Sequence, residues 1–117
     1  MTEAADSLDA MAAAPDHHGL LLENDRVRVL DTCLAPGERT PVHSHCWPAT
    51  LYVMSWSDFV RRDAEGNIIV DSRAWERQPA VGEALWLPPL PLHSVENLGE
   101  RDLRLIAVEL KGGNAAE

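Results

Sequence analysis

The residues best suited to chemistry lie in the stretch PVHSHCWPATLYVMSW, Pro41 to Trp56. The chain has five histidines, and two of them, His43 and His45, stand two apart just ahead of a run of β-forming residues. On a strand, residues two apart project to the same face. The spacing therefore sets two imidazoles side by side, as two ligands of one ion would be. A third, His93, follows the segment LPPLPL and opens a later strand. Three neutral imidazoles facing one cavity make a site for a divalent transition metal such as Fe, Zn, Ni, Mn or Cu. Three protein ligands leave further positions for water or a small molecule, the arrangement that catalytic metals use. An H-x-H pair taken alone is also what two ordinary strand histidines look like, so the weight falls on the third.

Other reactive types have plainer readings. Cys46 alternates away from the histidine pair, and packing suits it and Cys33. Tyr52, the single tyrosine, either packs or reaches the cavity as a hydrogen-bond donor. Trp56 and Trp86 fall on expected strands as core or cavity lining, and Trp47 stands where a pocket mouth would be. His17 and His18 read as a solvated linker, with folding over a barrel opening or a neighbouring subunit as the alternative. Arg61–Arg62 and Arg101–Asp102 read as solvated turn flanks, and Asn97 as support for a strand end.

These groups need a frame that converges. Residues 2–14 are Ala-rich and end at Pro15, which predicts a short helical or frayed arm. From Leu20 the texture changes to short alternating runs. LLLENDRVRVLDTCL reads as two strands about the turn END, with Arg28, Leu30, Thr32 and Leu34 on one face and Val27, Val29, Asp31 and Cys33 on the other. TLYVMSWSDFVRR reads as one long strand, DAEGN as a hairpin turn, and IIVD as the return. SRAWERQPAVG reads as a loop, then EALWL, HSVEN and LRLIAVEL as strands. Eight or nine short strands without an interior helix predict an antiparallel all-β sandwich or barrel. The expected division is an N-terminal arm at 1–19, one barrel at 20–111 and a loose tail at 112–117.

Composition narrows the partners. The chain has 117 residues, enough for one domain, and 45% are hydrophobic, enough for a core. Ten basic against nineteen acidic residues give a net charge of -9, which argues against nucleic acid. No apolar run approaches the ~18 residues of a membrane span. The acidic N-terminus lacks the basic start and apolar block of a secretory signal, and two cysteines are too few for a disulfide framework. A cytoplasmic protein that binds a small molecule is the expectation. A domain this small, with sheet edges to cover, is also expected to form a homodimer.

Two segments carry a resemblance. GERTPVHSH places Gly37 five residues ahead of His43, with His45 following. GEALWLPPLPLHSVEN sets Gly82, Pro88, His93 and Asn97 in order. Together they resemble the paired motifs of the cupin superfamily over about Leu20 to Leu110. The resemblance implies a double-stranded β-helix, or jelly-roll barrel, with a metal in its wider end and commonly a dimer. Two departures stand out. The glutamate ligand of the first motif is missing, since Ala49 and Thr50 occupy its place, and Leu90 replaces a glycine of the second. The remaining metal positions are then expected to face water or a small ligand rather than protein. A three-histidine set is similar to that of the thiol dioxygenases within the superfamily, which implies an oxygen-activating enzyme. The alternative is a non-catalytic small-ligand binding or sensing module with a vestigial or empty site.

Overall fold

A computed structural model describes residues 8–112. The part of the expected arm before Leu8, and the tail from residue 113 on, lie outside the described residues. Nine strands run β1 (His18–Glu23), β2 (Val27–Leu34), β3 (His43–His45), β4 (Ala49–Ser55), β5 (Phe59–Asp63), β6 (Ile68–Asp71), β7 (Ala84–Leu87), β8 (Leu90–Asn97) and β9 (Leu103–Leu110). They form a five-stranded sheet in the order β1-β2-β9-β4-β7 and a four-stranded sheet in the order β3-β8-β5-β6, with antiparallel pairing throughout. The all-β expectation holds. Among the described residues no helix is long and apolar enough to cross a membrane.

Alternation builds the interior. On β2, Leu30 and Leu34 are buried and pair in register with Ala107 and Leu103 of β9, which are buried too. Ala49 and Val53 of β4 complete that layer, and Phe59 faces it from the other sheet. The two motif glycines, Gly37 and Gly82, have φ of 82° and 93°. That left-handed region suits glycine, and it turns the chain back just before β3 and β7.

Three local readings change. The run TLYVMSWSDFVRR is two strands in different sheets, divided at Trp56-Ser57-Asp58. Side chains cause the break: Ser57 Oγ donates to Asn97 Oδ1 at 2.7 Å, and Asp58 accepts from Ser72 Oγ at 2.9 Å. Such short polar groups offer the backbone partners outside the ladder. The loop after β6 starts with a 3₁₀ turn, Ser72–Ala74, whose cap Asp71 accepts from the Arg73 amide. β8 starts at Leu90 rather than at His93 and so includes Pro91. Its pairing with β5 reaches back only to His93, so the N–H that Pro91 lacks removes no bond from that side.

At the N-terminal end a four-residue helix, α1 (Ala10–Ala13), is capped by Asp9, whose carboxylate accepts from the Met11 amide at 3.0 Å. The Ser44 amide donates to Leu8 O at 2.7 Å, so this segment lies along β3.

Candidate metal centre

Both sheets contribute to one end of the interior. His43 on β3 and His93 on β8 are direct cross-strand partners, and their ring centroids lie 4.4 Å apart. His43 and His45, two apart on β3, line the same cavity as strand alternation requires, and the register irregularity puts the extra residue on β8, between Leu90 and His93. The His45 ring lies 5.1 Å from His43 and 5.4 Å from His93. The fourth member comes from the opposite sheet. His18, the first residue of β1, pairs with Thr32 and points its ring at the group, 4.9 Å from His43 and 5.5 Å from His45. Ligand atoms of His18, His43 and His45 lie within 4.8 Å of one another, so these three are positioned to hold a metal ion.

Each imidazole is held at Nδ1. His18 Nδ1 lies 2.9 Å from Ala14 O, His43 Nδ1 2.8 Å from Pro41 O, and His93 Nδ1 2.7 Å from Pro91 O. His45 Nδ1 lies 3.1 Å from Glu109 Oε2. A carbonyl or carboxylate oxygen only accepts, so each Nδ1 carries the proton and donates. In the neutral ring Nε2 then keeps its lone pair. This is the tautomer that metal-binding histidines adopt, with an oxygen behind each ring fixing its orientation. Burial also keeps protons off the rings, lowering His18 to about 4, His43 to about 3 and His93 to about 4. A set of neutral imidazoles with free Nε2 atoms fits a borderline divalent metal.

Behind His45 stands a buried ionic network. Glu109 of β9 is 1% exposed, and besides His45 it accepts from Arg28 Nε at 2.6 Å. Arg28 in turn donates from both terminal nitrogens to Asp9, each at 2.9 Å. Burial disfavours the Arg28 charge, but the two carboxylates overrule it and raise its pKa. For Asp9 burial again opposes ionisation, and the bonds from Arg28 and the Met11 amide prevail and lower its pKa.

His43, His45 and His93 thus share one cavity. The solvated-linker reading of His18 is corrected: the residue is 3% exposed and lies within the cluster. The converging group is His18, His43 and His45, and His93 lines the same cavity beside it. Arg61 also departs from the expected turn flank, since it lines the cavity, whereas Arg62 pairs outside with Glu96 at 2.7 Å. Tyr52 is 46% exposed and packs against no core. Trp47 lies under Arg28 and Lys111, 5.0 and 5.3 Å from their charged groups, rather than in the cavity wall. Asn97 is buried and bonds Leu34 O, Arg101 O, Ser57 and Gly99, as suits a strand-end support.

Arg28 and Glu109 carried a signal in the sequence. Each is a charge on an inward strand position among Leu and Ala, where only a paired charge is stable. His18 carried a weaker one, because its strand begins at the histidine itself.

The cavity measures ≈ 440 Å³, and its lining runs from the histidines to Trp56, Phe59 and Trp75. The three rings form a cluster with centroids 5.8 Å apart.

No known protein-family profile matches the sequence, and no curated protein matches it. Solved structures do match the fold. A cupin domain from Bordetella pertussis Tohama I is 22% identical, with a TM-score of 0.65 over 80% of this chain and 91% of that one. An uncharacterized conserved protein with a double-stranded β-helix domain from Klebsiella pneumoniae is 20% identical, with a TM-score of 0.56 over 85% and 74%. An RmlC-like cupin from Methanocaldococcus jannaschii is 14% identical, with a TM-score of 0.55 over 80% and 79%.

Proposed function

We propose that this barrel, which has the cupin fold, is a small-molecule site built around a divalent transition metal. The ligands are the Nε2 atoms of His18, His43 and His45, joined by His93. One observation supports this above the others: all four imidazoles are pinned at Nδ1 by an oxygen, so all four present the metal-binding nitrogen. An all-imidazole set suits Zn, Fe, Ni or Cu better than Mn, which prefers oxygen ligands. When bound, such an ion supplies a Lewis acid or, if redox-active, a site for oxygen chemistry. The chain's own part is to orient the rings, exclude water with an apolar wall, and hold the proton of His45 Nδ1 on Glu109.

Two uses of this site remain distinct. A dioxygenase-like enzyme needs a tightly held redox-active metal. A binding or sensing module does not, and one feature favours it: among the described residues Glu109 is the only carboxylate lining the cavity, and Arg28 and His45 already occupy it. Elemental analysis of protein purified without a histidine tag discriminates. About one equivalent of iron, nickel or copper per chain favours the enzyme, and zinc or an empty site favours the module. A chain that takes up no divalent metal on reconstitution refutes the metal site itself.

A homodimer is part of the reading. On the outer face of the five-stranded sheet, Leu22, Val29, Val108, Thr50 and Trp86 fall in one cross-strand row. Leu22 and Trp86 are exposed, as are nearby Tyr52 and Met54. A row of this kind suits a second sheet face, here that of another copy. Cys33 and Cys46, both unpaired, suit a reducing compartment such as the cytoplasm.

A further inference from the structure

The cavity holds a charge that nothing in it answers. Arg61 lies on β5 opposite Val95 of β8 and Val70 of β6, and all three line the cavity. Its Nε is buried and has no hydrogen-bond partner. Among the described residues no carboxylate pairs with its guanidinium, whose one neighbour of note is the Phe59 ring, 6.0 Å below. The other arginines of the interior and rim are treated differently: Arg28 has Asp9 and Glu109, and Arg62 has Glu96. Burial lowers the Arg61 pKa, with no bond or charge set against it. An arginine stays protonated under any such pressure. An unpaired, partly desolvated guanidinium is costly and is retained where something pairs with it.

The surroundings define what that something is. The chain carries a net charge of -9, yet among the described residues the cavity wall has a single carboxylate, Glu109, already engaged. Val95, the cross-strand partner of Arg61, lies two residues along β8 from His93, so the arginine and the histidine are near neighbours on one sheet. Beside Arg61 the wall is apolar, with Phe59 under the guanidinium and Trp56 and Trp75 completing the aromatic cluster. We infer that the cavity takes a small monocarboxylic acid with an apolar, ring-sized body, its carboxylate on the Arg61 guanidinium and its body against the aromatic cluster. The guanidinium fork matches a planar carboxylate in two parallel bonds. A phosphate would bring a second charge for which the wall offers no further fixed cation. A volume of ≈ 440 Å³ lies in the range of small-ligand sites. The inference rests on the reading of this cavity as a small-molecule site, and it needs no metal.

The test is calorimetric titration of the purified full chain with phenylacetate, 2-phenylethanol and phenyl phosphate, with metal content measured on the same sample. Phenylacetate is expected to bind at least about tenfold more tightly than 2-phenylethanol, the margin of a charge-assisted pair. In Arg61→Leu that advantage is expected to vanish, while the melting temperature of the unliganded chain stays at or above the parent's because an unpaired charge has gone. Equal binding of acid and alcohol by the parent, unchanged acid binding by R61L, or no acid binding at millimolar concentration each overturns the inference. Preference for phenyl phosphate overturns the carboxylate assignment. A chain that binds phenylacetate but no metal refutes the metal site alone, and a chain that binds metal but no phenylacetate refutes this inference alone.

Discussion

Replacing Glu109 by glutamine separates the two jobs of that carboxylate. The side chain is 1% exposed and accepts from both Arg28 Nε and His45 Nδ1. Glutamine keeps one acceptor oxygen and turns an N–H₂ toward the other donor, so one of the two bonds is lost and replaced by a donor-donor contact. Breaking one partner of a buried ion pair costs about 3–5 kcal/mol. Arg28 keeps both bonds to Asp9, which places Glu109→Gln at the lower end, about 3 kcal/mol. At roughly 4 °C per kcal/mol for a domain of this size, the melting temperature falls by about 12 °C. His45 also loses the oxygen that fixes its tautomer, and metal affinity falls about 10- to 100-fold. Calorimetric melting and a competitive metal titration measure the two effects separately. A melting point within a few degrees of the parent refutes the ionic network as a stabilising element. A lowered melting point with unchanged metal affinity refutes the orienting role of Glu109.

Other outcomes follow from the same site. His45→Ala sharply weakens metal uptake while circular dichroism stays that of a β-protein, because the core is built from Leu30, Leu34, Val53 and their neighbours; an alanine variant that binds metal like the parent refutes the ligand role. His18→Ala weakens uptake without abolishing it if His43, His45 and His93 remain, and an unchanged affinity removes His18 from the ligand set. The metal-free chain loses stability as the pH falls from about 6.5 toward 4. In that window the unfolded chain takes up protons on His18, His43 and His93, whereas the folded chain keeps them neutral until about 4 or below. For His18 alone the difference amounts to roughly 3 kcal/mol, and urea unfolding that is no easier at pH 5 than at pH 7 contradicts it. Trp86→Glu on the outer sheet face yields a monomer near 12.9 kDa by light scattering, and a parent chain that is already monomeric defeats the dimer.

Strand identity was legible where alternation was strict, as in VRVLDTCL and LRLIAVEL, and where a turn bounded it, as in DAEGN. The division of TLYVMSWSDFVRR was not, because Ser57 and Asp58 find their partners at Asn97 and Ser72, far along the chain. In the site, spacing brought His43 and His45 into consideration, and the second motif segment added His93. The residues behind them were hidden for different reasons. His18 owes its place to a sheet edge that only the fold brings opposite β3. Arg28 and Glu109 were legible as charges on inward positions, but their pairing with each other and with Asp9 was not, because the set spans most of the sequence. Arg61 and Arg62 differ by one residue and by the whole thickness of the sheet, a distinction that rests on register.

The position of the histidines at the margins of the two sheets has a mechanical side. β1 and β3 are terminal strands, each with one row of backbone groups beyond the last ladder. His18 hangs from one margin, and His43 and His45 from the other. An ion shared among them acts as a rivet across a seam that backbone pairing does not close. Opening of the barrel mouth and loosening of the Leu8–Ala14 segment, tied to the seam through Ser44 and His18, then become one motion. Loading the ion slows amide exchange along both margins together while leaving β2 and β9, paired on both sides, at the rate set by global unfolding.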